Sequence, residues 1–163
     1  MKINKVYFSF TLFLTIFLIE VKITQSLSNR TLFLITYGWY NKTLLLRSLN
    51  GLIFIFDWLS ILLASTTFSS INNFIIFRNL TFKEKLIKLS PYLIQYFLGI
   101  LLIHLLSFTL AFEIISISLT LLLLISTFCL SYFLYNYQLE KAIFIPIFLI
   151  IIRSIVTTVF QNQ

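Results

Sequence analysis

The run Gly51-Leu-Ile-Phe-Ile-Phe-Asp57-Trp-Leu-Ser60-Ile-Leu-Leu-Ala64 places one carboxylate inside an otherwise nearly unbroken apolar segment. A segment of this composition reads as part of a membrane-crossing helix. A charge at the centre of such a helix costs roughly 2.5 to 3.5 kcal/mol on insertion scales, and it usually faces the bundle interior or a polar path. Asp57 is therefore the first candidate for a positional or functional role, with Ser60 beside it.

Working outward, residues 44–64 are expected to form one span. The hydroxyl-rich step Ser65 to Ser70 is expected to allow a tight reversal into a further span over 66–77, with one continuous helix over 47–77 as the competing reading. Upstream, residues 6–20 form an apolar run behind Lys2 and Lys5. That is also a signal-peptide profile, but no small-x-small cleavage site follows, so a retained first helix is expected. A polar connection leads to a short aromatic-rich segment, 31–41, read as a tilted or incomplete span ending in the turn at Asn41.

Downstream, Arg78, Lys83, Glu84, Lys85 and Lys88 make the most polar stretch, read as the main cytoplasmic loop, and Ser90-Pro91 resembles a helix start. Residues 89–112 and 114–136 are the next spans, with Glu113 marking the turn between them. The terminal apolar segment 142–160 carries Pro146, expected to kink it, and Arg153. Whether it crosses or lies in the interface is open at this level.

Composition supports the class. Of 163 residues, 60% are hydrophobic and 10% charged, with three Gly and two Pro, and the mean hydropathy is +1.01. That leaves too little polar surface to cover a soluble globule. The expectation is an all-α, polytopic integral membrane bundle of about six transmembrane helices, one domain over 1–163 and no soluble domain. The net charge of +7 comes from basic residues at the ends of apolar runs, where it reports orientation rather than a nucleic-acid partner. The single cysteine, Cys129, excludes an internal disulfide and a cysteine metal cluster.

With the N-terminus inside, this topology puts nine basic residues inside (Lys2, Lys5, Lys42, Arg47, Arg78, Lys83, Lys85, Lys88, Lys141) and two outside (Lys22, Arg30). Tyr7, Trp39, Tyr40, Tyr92, Tyr135 and Tyr137 read as interfacial anchors. The Asn-x-Thr triplets at Asn29, Asn41 and Asn79 are expected by chance in an Asn-rich chain.

The chemistry is sparse. A Ser-His-Asp set and a glycine-rich phosphate loop are both missing, and there is one histidine, so neither an enzyme nor a cofactor or metal is expected. His104, among leucines, is expected to be neutral and bonded to a hydroxyl such as Ser107 or Tyr96. Asp57 and Arg153 both fall in apolar runs and are expected to pair as an internal clamp. A contact for a partner helix, or a polar spot lining a ligand cavity, are the alternatives.

The order of elements resembles the MreD family of small bacterial rod-shape-determining membrane proteins. The resemblance covers residues 6–88: an anchor ending near Glu20, the leucine and aromatic segment 31–40, the basic turn at Lys42 and Arg47, Gly51 through Asp57-Trp-Leu-Ser60, and the basic stretch after it. Leu49 and Ile53 stand where the family pattern has glycines. The resemblance implies a noncatalytic scaffold in the cytoplasmic membrane that binds MreC and helps couple MreB filaments to peptidoglycan elongation.

Two other classes are weighed. Asn73 to Phe82 resembles a stretch of GtrA-type proteins, and the compact bundle of the MreD family itself is similar to vitamin-binding subunits of energy-coupling-factor transporters, which suggests a transporter or translocase component. Phe, Ile, Leu, Asn and Tyr usage also fits a respiratory subunit of the mitochondrial inner membrane encoded in an AT-rich organelle genome. There the region from Glu113 resembles the small proton-channel subunit of complex I, with Arg153 near the place of a second membrane glutamate.

Overall fold

A computed structural model describes residues 4–76, 82–106, 113–133 and 138–161. These form six helices and, among the described residues, no strand: α1 Lys5–Thr24, α2 Asn29–Tyr37, α3 Leu44–Ile76, α4 Phe82–Leu106, α5 Glu113–Phe133 and α6 Gln138–Gln161. Three stretches, Lys5–Thr24, Leu44–Ile71 and Ala142–Phe160, are long and apolar enough to cross a membrane. Their outward faces carry bare hydrocarbon: Val6, Phe13, Ile16 and Ile23 on α1, and Ile143, Phe144, Ile147, Ile151 and Ile155 on α6 are all exposed. A helical membrane bundle accounts for these faces because lipid covers them.

Local chemistry sets the helix starts. Asn4 caps α1 by accepting from the Tyr7 N–H at 3.2 Å, and Ser28 caps α2 by accepting from the Thr31 N–H at 3.2 Å. The nine-residue α2 rises only about 13 Å, less than half the hydrocarbon thickness. It ends at Gly38, and residues 39–43 lead directly into α3.

Two long-range contacts fix the directions. The Tyr7 hydroxyl bonds Ser60 at 2.9 Å, while the Asn50 amide donates to the carbonyls of Ile35 and Gly38 at 2.7 and 2.8 Å. The short α2 can reach Asn50 from the end of α1 only if α1 runs antiparallel to α3. Thus α2 enters from the end where α1 finishes and its return leads back to that end. It is a re-entrant half-helix, where a tilted or incomplete span is expected over 31–41. This relocates Lys42 and Arg47, which lie at the same end as Lys22 and Arg30, not with Lys5.

Non-helical backbone at this depth persists only where protein satisfies it. Here the Gly38 carbonyl accepts from Asn50 and from Arg153 Nη1 at 3.3 Å, and the Trp39 N–H donates to Thr157 Oγ1 at 2.7 Å. Gly38 also has to be small. A Cβ there would meet Thr157 Oγ1 at 2.9 Å.

The reversal expected at 65–70 does not occur, and α3 is one helix of 33 residues. Its hydroxyls bond backwards along the helix, Thr66 to Leu63 O at 3.0 Å and Ser70 to Thr67 O at 2.9 Å, so they neither cap nor break it. Neither Gly nor Pro lies in that step to force a turn.

The α4 helix returns along α3, with the Tyr96 hydroxyl 3.2 Å from Thr67 Oγ1 and His104 beside Asp57. It begins at Phe82, so Lys83, Lys85 and Lys88 stand on a helix rather than in the expected loop; Arg78 lies outside the described residues. Pro91 is accommodated inside α4. The Ser90 hydroxyl donates at 3.1 Å to Ile87 O, the carbonyl that Pro91 cannot serve. Pro146 likewise sits within the continuous α6.

Core packing gathers α1, α3 and α4 around Leu14, Leu18, Ile53, Phe56 and Ile100, and a second cluster around Phe33, Ile61 and Leu149 ties in α6. Tyr7, expected as an interfacial anchor, belongs to the first of these cores. Trp39 and Tyr40 are half-buried, and Tyr135 and Tyr137 lie outside the described residues.

Candidate functional site

The most polar point of the bundle interior is where α3, α4, α6 and the α2 turn meet. Asp57, His104 and Arg153 are 2%, 0% and 2% exposed. Arg153 Nη2 donates to Asp57 Oδ2 at 2.9 Å. The structure therefore brings together the two charges that the sequence set inside apolar runs, 96 residues apart.

Arginine suits this place because its planar fork bonds in two directions at once. While Nη2 holds the carboxylate, Nη1 reaches the Gly38 carbonyl, and the guanidinium carbon lies 5.7 Å from the Trp39 ring centroid and 5.5 Å from that of Phe54. The pair therefore secures α6 both to α3 and to the re-entrant turn.

His104 was expected to bond Ser107 or Tyr96. Its Nδ1 contacts the Ile100 carbonyl at 2.8 Å and the Tyr96 hydroxyl lies 3.2 Å from Thr67 Oγ1, while Ser107, the other expected partner, lies outside the described residues. A carbonyl only accepts, so Nδ1 carries a proton. Nε2 then faces Asp57 Oδ1 at 3.7 Å, which is longer than a hydrogen bond. A neutral ring of this tautomer presents a lone pair to the carboxylate, so the contact is attractive only when a proton resides on one of the two atoms. Tyr37 closes the floor. Its hydroxyl lies 2.7 Å from Thr120 Oγ1 and donates to Ser116 O at 3.2 Å.

A cavity of about 10 Å³ lies against Asp57 and Arg153, walled by Thr36, Tyr37, Leu119, Leu123, Leu149 and Ile152. It is large enough for about one water molecule. Among the described residues no three His, Cys, Asp or Glu side chains converge as a metal ion would require.

The other candidates stand apart. Ser60 belongs to a neutral cluster: its Oγ lies 2.9 Å from the Tyr7 hydroxyl and donates to Phe56 O at 2.7 Å. Lys88 is exposed on α4, about 24 Å along the helix from His104. Sequence reading passed over Tyr37, Gly38, Asn50 and Thr157, which build the turn under Arg153. One signal was available. Asn50 stands seven residues before Asp57, two helical turns along the same face.

Fold and site define an integral-membrane helical bundle with an ion pair built into its core. Comparison with protein-family models, with curated proteins and with solved structures returns no match for this chain.

Proposed function

We propose that this chain is a noncatalytic membrane scaffold of the MreD type, binding an MreC-like membrane protein within the cell-wall elongation machinery of a bacterial cytoplasmic membrane. The observation that carries the choice is the filled polar core. Asp57 is engaged by Arg153, and the adjoining cavity takes about one water molecule. A substrate-binding subunit needs a chamber of hundreds of cubic ångströms lined by such groups. A scaffold needs rigid helices and lipid-embedded faces on which a second protein packs, and such contacts rest on close packing and interhelical polar bonds.

The N-terminal end is assigned to the cytoplasm. Lys5 and the first turns of α4 and α6, with Lys83, Lys85, Lys88 and Lys141, share that end, opposite Lys22, Arg30, Lys42 and Arg47. Affinity purification of the whole chain in mild detergent tests the reading: elongation-complex subunits, including a coiled-coil membrane protein, are expected. Recovery of respiratory subunits instead would replace it with the organelle reading. A cysteine introduced at position 88 should react with an impermeant reagent only from the cytoplasmic side, and labelling from outside would reverse the orientation.

A further inference from the structure

At the end where α1 finishes, an open groove of about 600 Å³ lies between the first turn of α2 and the return to α3. Its wall includes Arg30 and Lys42, the hydroxyl-bearing Ser28, Thr31 and Tyr40, and the buried Leu34, with no acidic side chain among the described residues that line it. We propose that this groove binds a phosphate-bearing anion delivered by a membrane lipid, the headgroup lying between Arg30 and Lys42.

Four observations support this occupant. First, two cations line the groove and one of them is ordered: Arg30 Nη2 donates to the Phe160 carbonyl at 2.7 Å, which fixes the guanidinium at the end of α6. Second, the first turn of α2 lines the groove, so the positive end of the helix dipole adds to the two cations. Third, the groove stands at bilayer-surface depth, because one membrane-length stretch ends at Thr24 and another starts at Leu44 beside it. Fourth, the same end carries exposed hydrocarbon, with Ile23 70% and Leu44 83% exposed. A free anion has no use for that rim, whereas lipid acyl chains cover it. The volume falls in the range of small-ligand sites and admits a headgroup larger than phosphate alone.

The inference stands independently of the scaffold reading. It is tested on the full chain in neutral detergent by native mass spectrometry, titrating phosphatidylglycerol, phosphatidylcholine and, separately, glycerol phosphate and inorganic phosphate. Retention of a single phosphatidylglycerol in preference to phosphatidylcholine is expected, with neither soluble phosphate displacing it at matched concentration. Lys42→Gln should weaken phosphatidylglycerol binding about fivefold, the effect of one cation near an anionic surface, and Lys42→Arg should restore it. Because Arg30→Gln also removes the bond to Phe160, Lys42 carries the test. Lys88→Gln, a loss of charge at the opposite end, should leave binding unchanged. Equal retention of both lipids, equal binding of soluble phosphate, or an equal loss in Lys88→Gln would overturn the proposal.

Discussion

Two polar clusters hang from α3 less than one helical turn apart, and they are built on opposite principles. Asp57 faces Arg153 of α6 and His104 of α4, with charge at its centre. Ser60 faces Tyr7 of α1, whose hydroxyl also donates to Tyr96 O at 3.2 Å, so that cluster is neutral throughout. In a low-dielectric interior an ion has to find its partner on another segment, because its own helix has already used its backbone groups. A hydroxyl can fall back on a carbonyl one turn earlier, as Ser60 does with Phe56 and Thr11 does with Tyr7 at 2.9 Å. The charged cluster therefore fixes which helices must meet, whereas the neutral one adjusts how closely they sit.

The largest test of that difference is Asp57→Ala. It leaves Arg153 buried without its carboxylate, and removing one member of a buried pair typically costs about 3–5 kcal/mol. Unfolding of the purified chain in mixed micelles should show a loss of that order. Asp57→Leu combined with Arg153→Met should regain most of it, since replacing both ions by apolar groups is often neutral or stabilising. A single-variant loss no larger than that of a hydroxyl deletion would dissolve the distinction between the clusters.

The same contrast explains what could be read from the chain. Charges inside apolar runs are rare, so Asp57 and Arg153 announced themselves as a pair. Tyr7, Tyr96 and Thr67 did not, because each is ordinary in a membrane helix and only three-dimensional contact gives it a role. Tyr7 looked like an interfacial anchor because it lies near the start of an apolar run. Yet α1 begins beside Ser60, well along α3, which puts that residue in the interior. The re-entrant turn was legible only in part: the modest length of 31–41 pointed to a tilted or incomplete span, and only the bonds to Gly38 O identify a half-helix that returns to the end it entered from. The turn expected in α3 failed because Ser and Thr were weighed as turn formers, although in lipid they bond their own helix.

Gly99 gives an intermediate test, and it belongs to the neutral cluster. An added Cβ would run into the Tyr7 hydroxyl and lie 2.9 and 3.0 Å from Cζ and Cε1 of that ring. Gly99→Ala should destabilise the chain by about 1–3 kcal/mol, the usual range for overpacking. Adding Tyr7→Phe should recover part of the loss by removing the nearest atom. No recovery would mean that the backbones of α1 and α4, rather than the hydroxyl, set their separation.

Tyr7→Phe alone should have the smallest effect, although it deletes a group that joins three helices. The ring remains stacked on Phe56 at 5.6 Å and edge-on to Tyr96 at 4.9 Å between centroids, so the packing of α1 is kept. The two groups left behind are not stranded. Ser60 keeps its bond to Phe56 O, and Tyr96 O lies within α4, where the helix supplies its own donor. Interhelical side-chain bonds in membrane proteins contribute about 0.6 kcal/mol on average and at most about 1.7 kcal/mol. The loss in mixed-micelle unfolding should fall in that interval, several-fold below Asp57→Ala. A larger loss would show that the hydroxyl, not the ring, sets the position of α1, and would put the neutral cluster on the same footing as the charged one.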